Sequence, residues 1–182
     1  MQSLQRLSCE AEALLSELEA RGMRIVTAES CTGGLLASCL TDIEGRSHCF
    51  ERGFIPYSNA AKHDLLGVPR ALLAECGAVS KPVATAMAQG AFDRSQASLA
   101  LAITGFAGPG CEGEEEGLVH LAAYSGDALL CSELHLGRAG REPIRRAAAA
   151  AVLRLGRALL TGDARPMPAA SGVNGHPIID AR

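Results

Sequence analysis

Leu4, Leu7, Ala11, Leu14, Leu15 and Leu18 recur at helical spacing, and Gly22 follows as a stop, so the chain opens on a helix. Met23–Ala28 carries β-branched Ile25, Val26 and Thr27 and reads as a strand. Gly33–Asp42 reads as a helix and Phe50–Tyr57 as a strand, in which Pro56 demands an edge or irregular position. Asn59 is placed to cap a short helix through Leu66, Pro69 to open another that Gly77 ends, and Ser80 to cap a longer one through about Arg94. Leu99–Ile103 is a buried-strand run. Leu118–Tyr124 and Ala128–Leu136 read as two strands joined by the hairpin signal Ser125-Gly126-Asp127. Arg141–Leu160 closes the series as a helix with Ile144, Ala148, Val152, Leu155 and Leu159 on one face. Strands that alternate with helices and then pair as a hairpin predict a single three-layer α/β/α domain with a mixed sheet over residues 1–162. Residues 163–182 are rich in Pro, Gly and small polar residues and are expected to form a mobile tail.

Composition narrows the function classes. A net charge of −3 speaks against a general nucleic-acid binder, which needs a basic face. No apolar run approaches a bilayer span, so no membrane partner is expected. The first residues carry Glu10 and Glu12 without an apolar signal core and do not read as a secretory peptide. Seven cysteines at irregular spacing, with no C-x-x-C pair, point to a reduced cytoplasmic protein rather than a disulfide scaffold or a zinc site. The five histidines are scattered with no ligand spacing, so no metal is expected.

Candidate chemistry sits in three stretches. TAESCTGG (Thr27–Gly34) ends a predicted strand and begins a predicted helix, where free backbone N–H groups attract an anion or a developing oxyanion. Ser30, Cys31 and Thr32 supply three possible nucleophiles or donors, and Gly33 and Gly34 let a ligand approach the backbone. The plainer reading is that Ser30 or Thr32 only caps the helix. ITGFAGPG is a second glycine-rich loop at a strand end, with Thr104 and Gly105, and two such loops suggest a shared crevice. FIPYSNAAKHDLLGV places Tyr57, Ser58, Asn59 and Lys62 at a strand-to-helix junction. A lysine there is ordinarily a solvated surface residue. Beside a serine, with its pKa drawn down by burial, it is the base that takes the hydroxyl proton.

In this order, TAESCTGG, FERGFIPYSNAAKHDLLGV, GAVSKPVATAMAQGA and AITGFAGPG closely resemble the CinA C-terminal domain family, whose stand-alone members include PncC-type nicotinamide-nucleotide amidases. The resemblance covers roughly residues 4–160, and the N-terminal domain of the longer members is not expected here. It implies an amidase, a C–N hydrolase of pyridine-nucleotide salvage that turns nicotinamide mononucleotide into nicotinate mononucleotide and ammonia. Ser30 matches the family nucleophile, Lys62 the proposed general base and Tyr57 the tyrosine that assists or orients the pair. The same resemblance implies a three-layer fold, a homodimer, and no metal or other cofactor for this step. Cys31, Thr32, Gly33, Gly34, Asn59, Thr104 and Gly105 are expected to border the substrate. Arg141 and Arg145, four apart on the last helix and so on one face, are candidates for a 5′-phosphate or for a merely solvated basic edge.

Two departures stand out. Where the family often continues with a glycine-rich loop and Lys-Pro-Val-Gly, this chain has CEGEEEGLVH, and Glu112, Glu114, Glu115 and Glu116 would repel an anionic substrate unless they point away. Lys81 stands where the family often has an acidic residue, with little expected consequence. Cys31, at a helix start that lowers thiol pKa, is the mechanistic rival of Ser30. A non-catalytic binding module of the same fold and an amidase for another small carboxamide are the alternative functions.

Overall fold

The computed structural model describes residues 2–109 and 113–162; the expected tail 163–182 and Glu112 lie outside them. The chain runs α1 (Gln2–Ala20), β1 (Ile25–Glu29), α2 (Leu35–Thr41), a 3-10 turn (Ser47–Cys49), β2 (Phe50–Phe54), α3 (Asn59–Leu66), α4 (Arg70–Cys76), α5 (Lys81–Asp93), β3 (Leu99–Gly105), β4 (Leu118–Tyr124), β5 (Leu129–His135) and α6 (Arg141–Thr161). The strands form one mixed sheet in the order β2-β1-β3-β4-β5. β1 pairs in parallel with β2 and β3, while β3–β4 and β4–β5 are antiparallel. This is the expected α/β architecture.

The two faces of the sheet are built from residues of different size, and β3 shows why. Leu99, Leu101 and Ile103 point to one side and pack with α1, α2 and α6. Ala100 and Ala102 point to the other and pack with α5 through Val83, Ala84, Met87 and Ala88. Period-two alternation on a strand buried on both faces gives one bulky layer and one thin one, so α5 sits close to the sheet. α5 also lies close to α3: a Cβ on Gly90 would fall 2.0 Å from the carbonyl oxygen of Leu66. That close crossing sets the position of α3, which carries Lys62.

Three predicted boundaries moved for local reasons. β2 ends at Phe54, not Tyr57, because Pro56 cannot donate to a ladder and instead lies buried in the loop to α3. The N-cap of α3 is Ser58, whose hydroxyl accepts from the Ala61 N–H at 3.1 Å; Asn59 is the first helical residue. α2 begins at Leu35 rather than Gly33, since Gly33 (φ 57°) and Gly34 (φ 92°) adopt left-handed conformations that a helix interior does not admit.

Candidate active site

At the C-terminal edge of β1 and β2 the chain leaves the sheet in opposite directions. β1 leads to α2, which packs on the bulky face, and β2 leads to α3, which packs on the alanine face. Divergent connections at the carboxyl ends of parallel strands open a crevice between them. Ser30 is the first residue beyond β1, and its N–H donates to the Ile103 carbonyl of β3 at 2.9 Å. Lys62, one turn into α3, reaches across the end of the sheet. Its Nζ donates to Ser30 Oγ at 3.0 Å and to the Pro56 carbonyl at 3.2 Å. Thus a hydroxyl and an amine 32 positions apart in the chain come into hydrogen-bond contact.

Both groups are buried, Lys62 to 1% exposure and Ser30 to 8%. Lys62 has no carboxylate partner among the described residues, and burial pulls its pKa below the ordinary lysine value. A neutral amine in this position keeps one N–H on the Pro56 carbonyl and turns its lone pair to the Ser30 hydroxyl, which is the arrangement of a base that activates an alcohol.

Cys31 behaves oppositely to the expectation for a helix start. Its thiol is pushed up to about 11, chiefly by burial, with its own N–H and the charges of Arg141 and Arg145 opposing this. A thiol that holds its proton at neutral pH is a poor nucleophile, so the geometry favours Ser30.

Glu29, quoted in the opening motif without a role, is the residue that sequence reading missed. It is fully buried at the end of β1, and its carboxylate accepts the N–H groups of Gly34 at 3.1 Å, Leu36 at 2.9 Å and Ala37 at 2.8 Å. Neither Ser30 nor Thr32 caps α2; Glu29 does so from five to eight residues upstream. Its negative charge and acceptor oxygens fill the helix start that had seemed an anion site. Two of the N–H groups at this strand-to-helix turn are therefore committed: that of Gly34 to Glu29, and that of Gly33 to the Ser30 carbonyl at 3.2 Å. The N–H groups of Cys31 and Thr32 donate to no oxygen among the described residues. The only sequence signal for Glu29 was an acidic residue inside an otherwise apolar strand, a position that demands compensating donors.

The remaining candidates divide. Tyr57 is 62% exposed, and its hydroxyl accepts from Arg141 Nη2 at 2.9 Å instead of meeting Ser30 or Lys62. Arg145 donates through Nε, at 3.1 Å, and through Nη2 to the Thr32 carbonyl. Thr104 is fully buried, and its hydroxyl donates to the Ala78 carbonyl at 2.7 Å, pinning the α4–α5 connection to β3. A Cβ on Gly105 would strike the Leu118 carbonyl at 2.8 Å, so this glycine serves strand packing. Asn59 is exposed and lines a surface groove with His63 and Arg70 on the flank of α3. Of the acidic run, Glu115 is bound to His135 Nδ1 at 2.7 Å, beside β5. β5 stands three strand positions from β1, ~14 Å at the usual spacing, so this carboxylate does not crowd Ser30.

Fold and site together define a three-layer α/β protein with a buried serine–lysine pair at the carboxyl edge of its parallel strands. The family model for the CinA C-terminal domain matches residues 8–160. The chain belongs to that family. It is 42% identical over 175 residues to a CinA-like protein of Syntrophus aciditrophicus, covering 90% of this chain and 42% of that one. A CinA-like protein of Syntrophobacter fumaroxidans is 45% identical over 157 residues, 37% of its length. The chain thus spans less than half the length of these curated relatives. Among solved structures, competence/damage inducible protein CihA from Agrobacterium tumefaciens superposes with a TM-score of 0.82 at 42% identity, over 85% of this chain and 95% of that one. A CinA superfamily protein of Escherichia coli gives 0.77 at 34% identity, over 81% and 87%. No helix among the described residues is long and apolar enough to cross a membrane.

Proposed function

We propose that this chain hydrolyses the carboxamide of nicotinamide mononucleotide through an acyl-enzyme on Ser30. One observation carries the reading: a buried lysine, with no carboxylate partner among the described residues, lies 3.0 Å from a serine oxygen at a strand end. An amide is a poor electrophile with a poor leaving group, and passing through an ester divides its hydrolysis into two easier steps. Neutral Lys62 takes the Ser30 proton as Oγ attacks the carboxamide carbon. The ammonium so formed returns that proton to the departing nitrogen, which leaves as ammonia. Lys62 then draws a proton from water, which attacks the ester, and the proton passes back to Ser30 Oγ as the carboxylic acid departs and ionises in solvent. The N–H groups of Cys31 and Thr32, which donate to no oxygen among the described residues, are the donors for the oxyanion in both steps.

The substrate's nucleotide part rests on the family resemblance and on one local feature. Arg141, exposed at the head of α6 with Tyr57 on its guanidinium, lies beside the second glycine loop, 3.8 Å from where a Cβ on Gly108 would lie, and close enough to Cys31 for its charge to act on the thiol. Arg141 thus holds the 5′-phosphate, and Tyr57 orients it. The experiment is ammonia release from nicotinamide mononucleotide by the wild type and by Ser30→Ala. Turnover that falls to background in the variant supports the reading; equal turnover overturns it. Release from another small carboxamide but not from this one would keep the mechanism and replace the substrate.

A further inference from the structure

The loop that follows Ser30 is held from both sides by charged side chains. Ser30, Cys31, Thr32 and Gly33 make a turn closed by the Gly33 N–H on the Ser30 carbonyl. The carbonyl of Thr32 accepts three donors: Arg145 Nε at 3.1 Å, Arg145 Nη2, and the Leu35 N–H at 3.2 Å. Beyond it, Glu29 takes the N–H groups of Gly34, Leu36 and Ala37. A cation thus grips the loop on one side and an anion on the other. Cys31 and Thr32, the central residues of the turn, have N–H groups that donate to no oxygen among the described residues.

The guanidinium of Arg145 comes from α6, 113 residues later in the chain. It spends its Nε–Nη2 edge on one carbonyl. That edge is one of the two with which a guanidinium grips a phosphate, and here it is taken by the loop. Arg141, one turn earlier, has no such commitment; its recorded bond goes to an exposed phenol.

We infer that Arg145 is a positioning residue, not a phosphate ligand: through the Thr32 carbonyl it fixes the turn so that the Cys31 and Thr32 N–H groups face the carbon attacked by Ser30. This rests on the serine acyl-enzyme proposed above. A donor oriented in advance acts in the transition state without reorganising, whereas a loose turn must be ordered at the moment of reaction. The loss on removing Arg145 therefore falls on kcat, and it is the same for a substrate with or without phosphate.

The test uses Arg145→Ala and Arg145→Lys; the latter keeps the stem and the charge but not the fork, which guards against a variant that fails to fold. Arg154→Ala is the control, since Arg154 pairs with Glu10 at 3.2 Å further along the same helix. With nicotinamide mononucleotide and its dephosphorylated riboside, both Arg145 variants should lose roughly 10–100-fold in kcat, towards the range known for one lost oxyanion donor, with similar losses on the two substrates. Reaction of Ser30 with a fluorophosphonate, which also develops charge on oxygen, should slow in the Arg145 variants and not in Arg154→Ala. A KM increase confined to the phosphorylated substrate, or unchanged labelling in both Arg145 variants, overturns the inference. Labelling needs no carboxamide, so a wild type that reacts with the probe but releases no ammonia would remove the amidase reading and leave this comparison decisive.

Discussion

Replacing Lys62 by Met tests the chemistry and the electrostatics of the site in one variant. Lys62 is 1% exposed, and an alanine would open a cavity that confuses the result. Methionine fills a similar volume without the amine. The variant loses the hydrogen bonds to Ser30 Oγ and to the Pro56 carbonyl, each worth about 1 kcal/mol net, so about 2 kcal/mol in all. Against this, it removes an amine whose protonation is opposed by burial. The two terms oppose, and the fold should survive. Activity should not: a positioned base contributes about 10²–10⁴-fold, and ammonia release should fall by that factor. The pH dependence adds a second reading. The folded pKa of Lys62 is depressed, so between that value and the unfolded value of about 10.4 the unfolded chain binds more protons than the folded one. Stability of the wild type relative to Lys62→Met should therefore rise with pH across this window, by up to about 1.4 kcal/mol per pH unit, and be lost as pH falls through the folded pKa. Urea unfolding of both proteins at a series of pH values measures this difference. Activity in the wild type should rise with pH through the same folded pKa, as the amine becomes neutral. A variant within tenfold of wild-type turnover, or a stability gap that does not change with pH, would refute the reasoning.

Cys31→Ser should retain most activity, because a thiol with a pKa of about 11 holds its proton at neutral pH; iodoacetamide should label Cys31 slowly in the folded protein and rapidly in urea, as peptide mass mapping would show. Gly90→Ala should destabilise by about 1–3 kcal/mol despite alanine's better helix propensity, since its methyl would meet the Leu66 carbonyl at 2.0 Å. Thermal unfolding checks that change, and because the clash displaces α3, ammonia release should fall with it. His135, between Glu115 and Glu133 at 2.7 Å each, should titrate above the ordinary histidine value by NMR. Glu115→Gln should bring that midpoint down, and the stabilisation the cluster provides should be present at low pH and lost as pH rises through the raised pKa.

The order of elements was readable from residue pattern because each element carries its own period. The leucines of α1 repeat at helical spacing, the β4–β5 hairpin announces itself at Ser125-Gly126-Asp127, and Ser80 accepts the Val83 N–H as a cap should. Those are local forces, fixed by backbone geometry and by neighbours a few residues away. Ser30 and Lys62 were legible as chemistry through their motifs, but nothing local tells a solvated lysine from a buried one. Burial comes from the tertiary packing around α3, which lowers the amine's pKa and sets its Nζ against Ser30 and the Pro56 carbonyl. The same holds for the loop. Its glycines and hydroxyls were visible in the sequence, yet which N–H groups are spent depended on Glu29 reaching forward and on Arg145 arriving from the last helix. Hydrogen bonds between distant segments leave no periodic trace along the chain, since any polar residue can make them once the fold has brought a partner within 3 Å. The sequence alone thus determined which elements form and which reactive groups are present. Tertiary structure decided which of those groups meet, which are already satisfied, and which remain free to act.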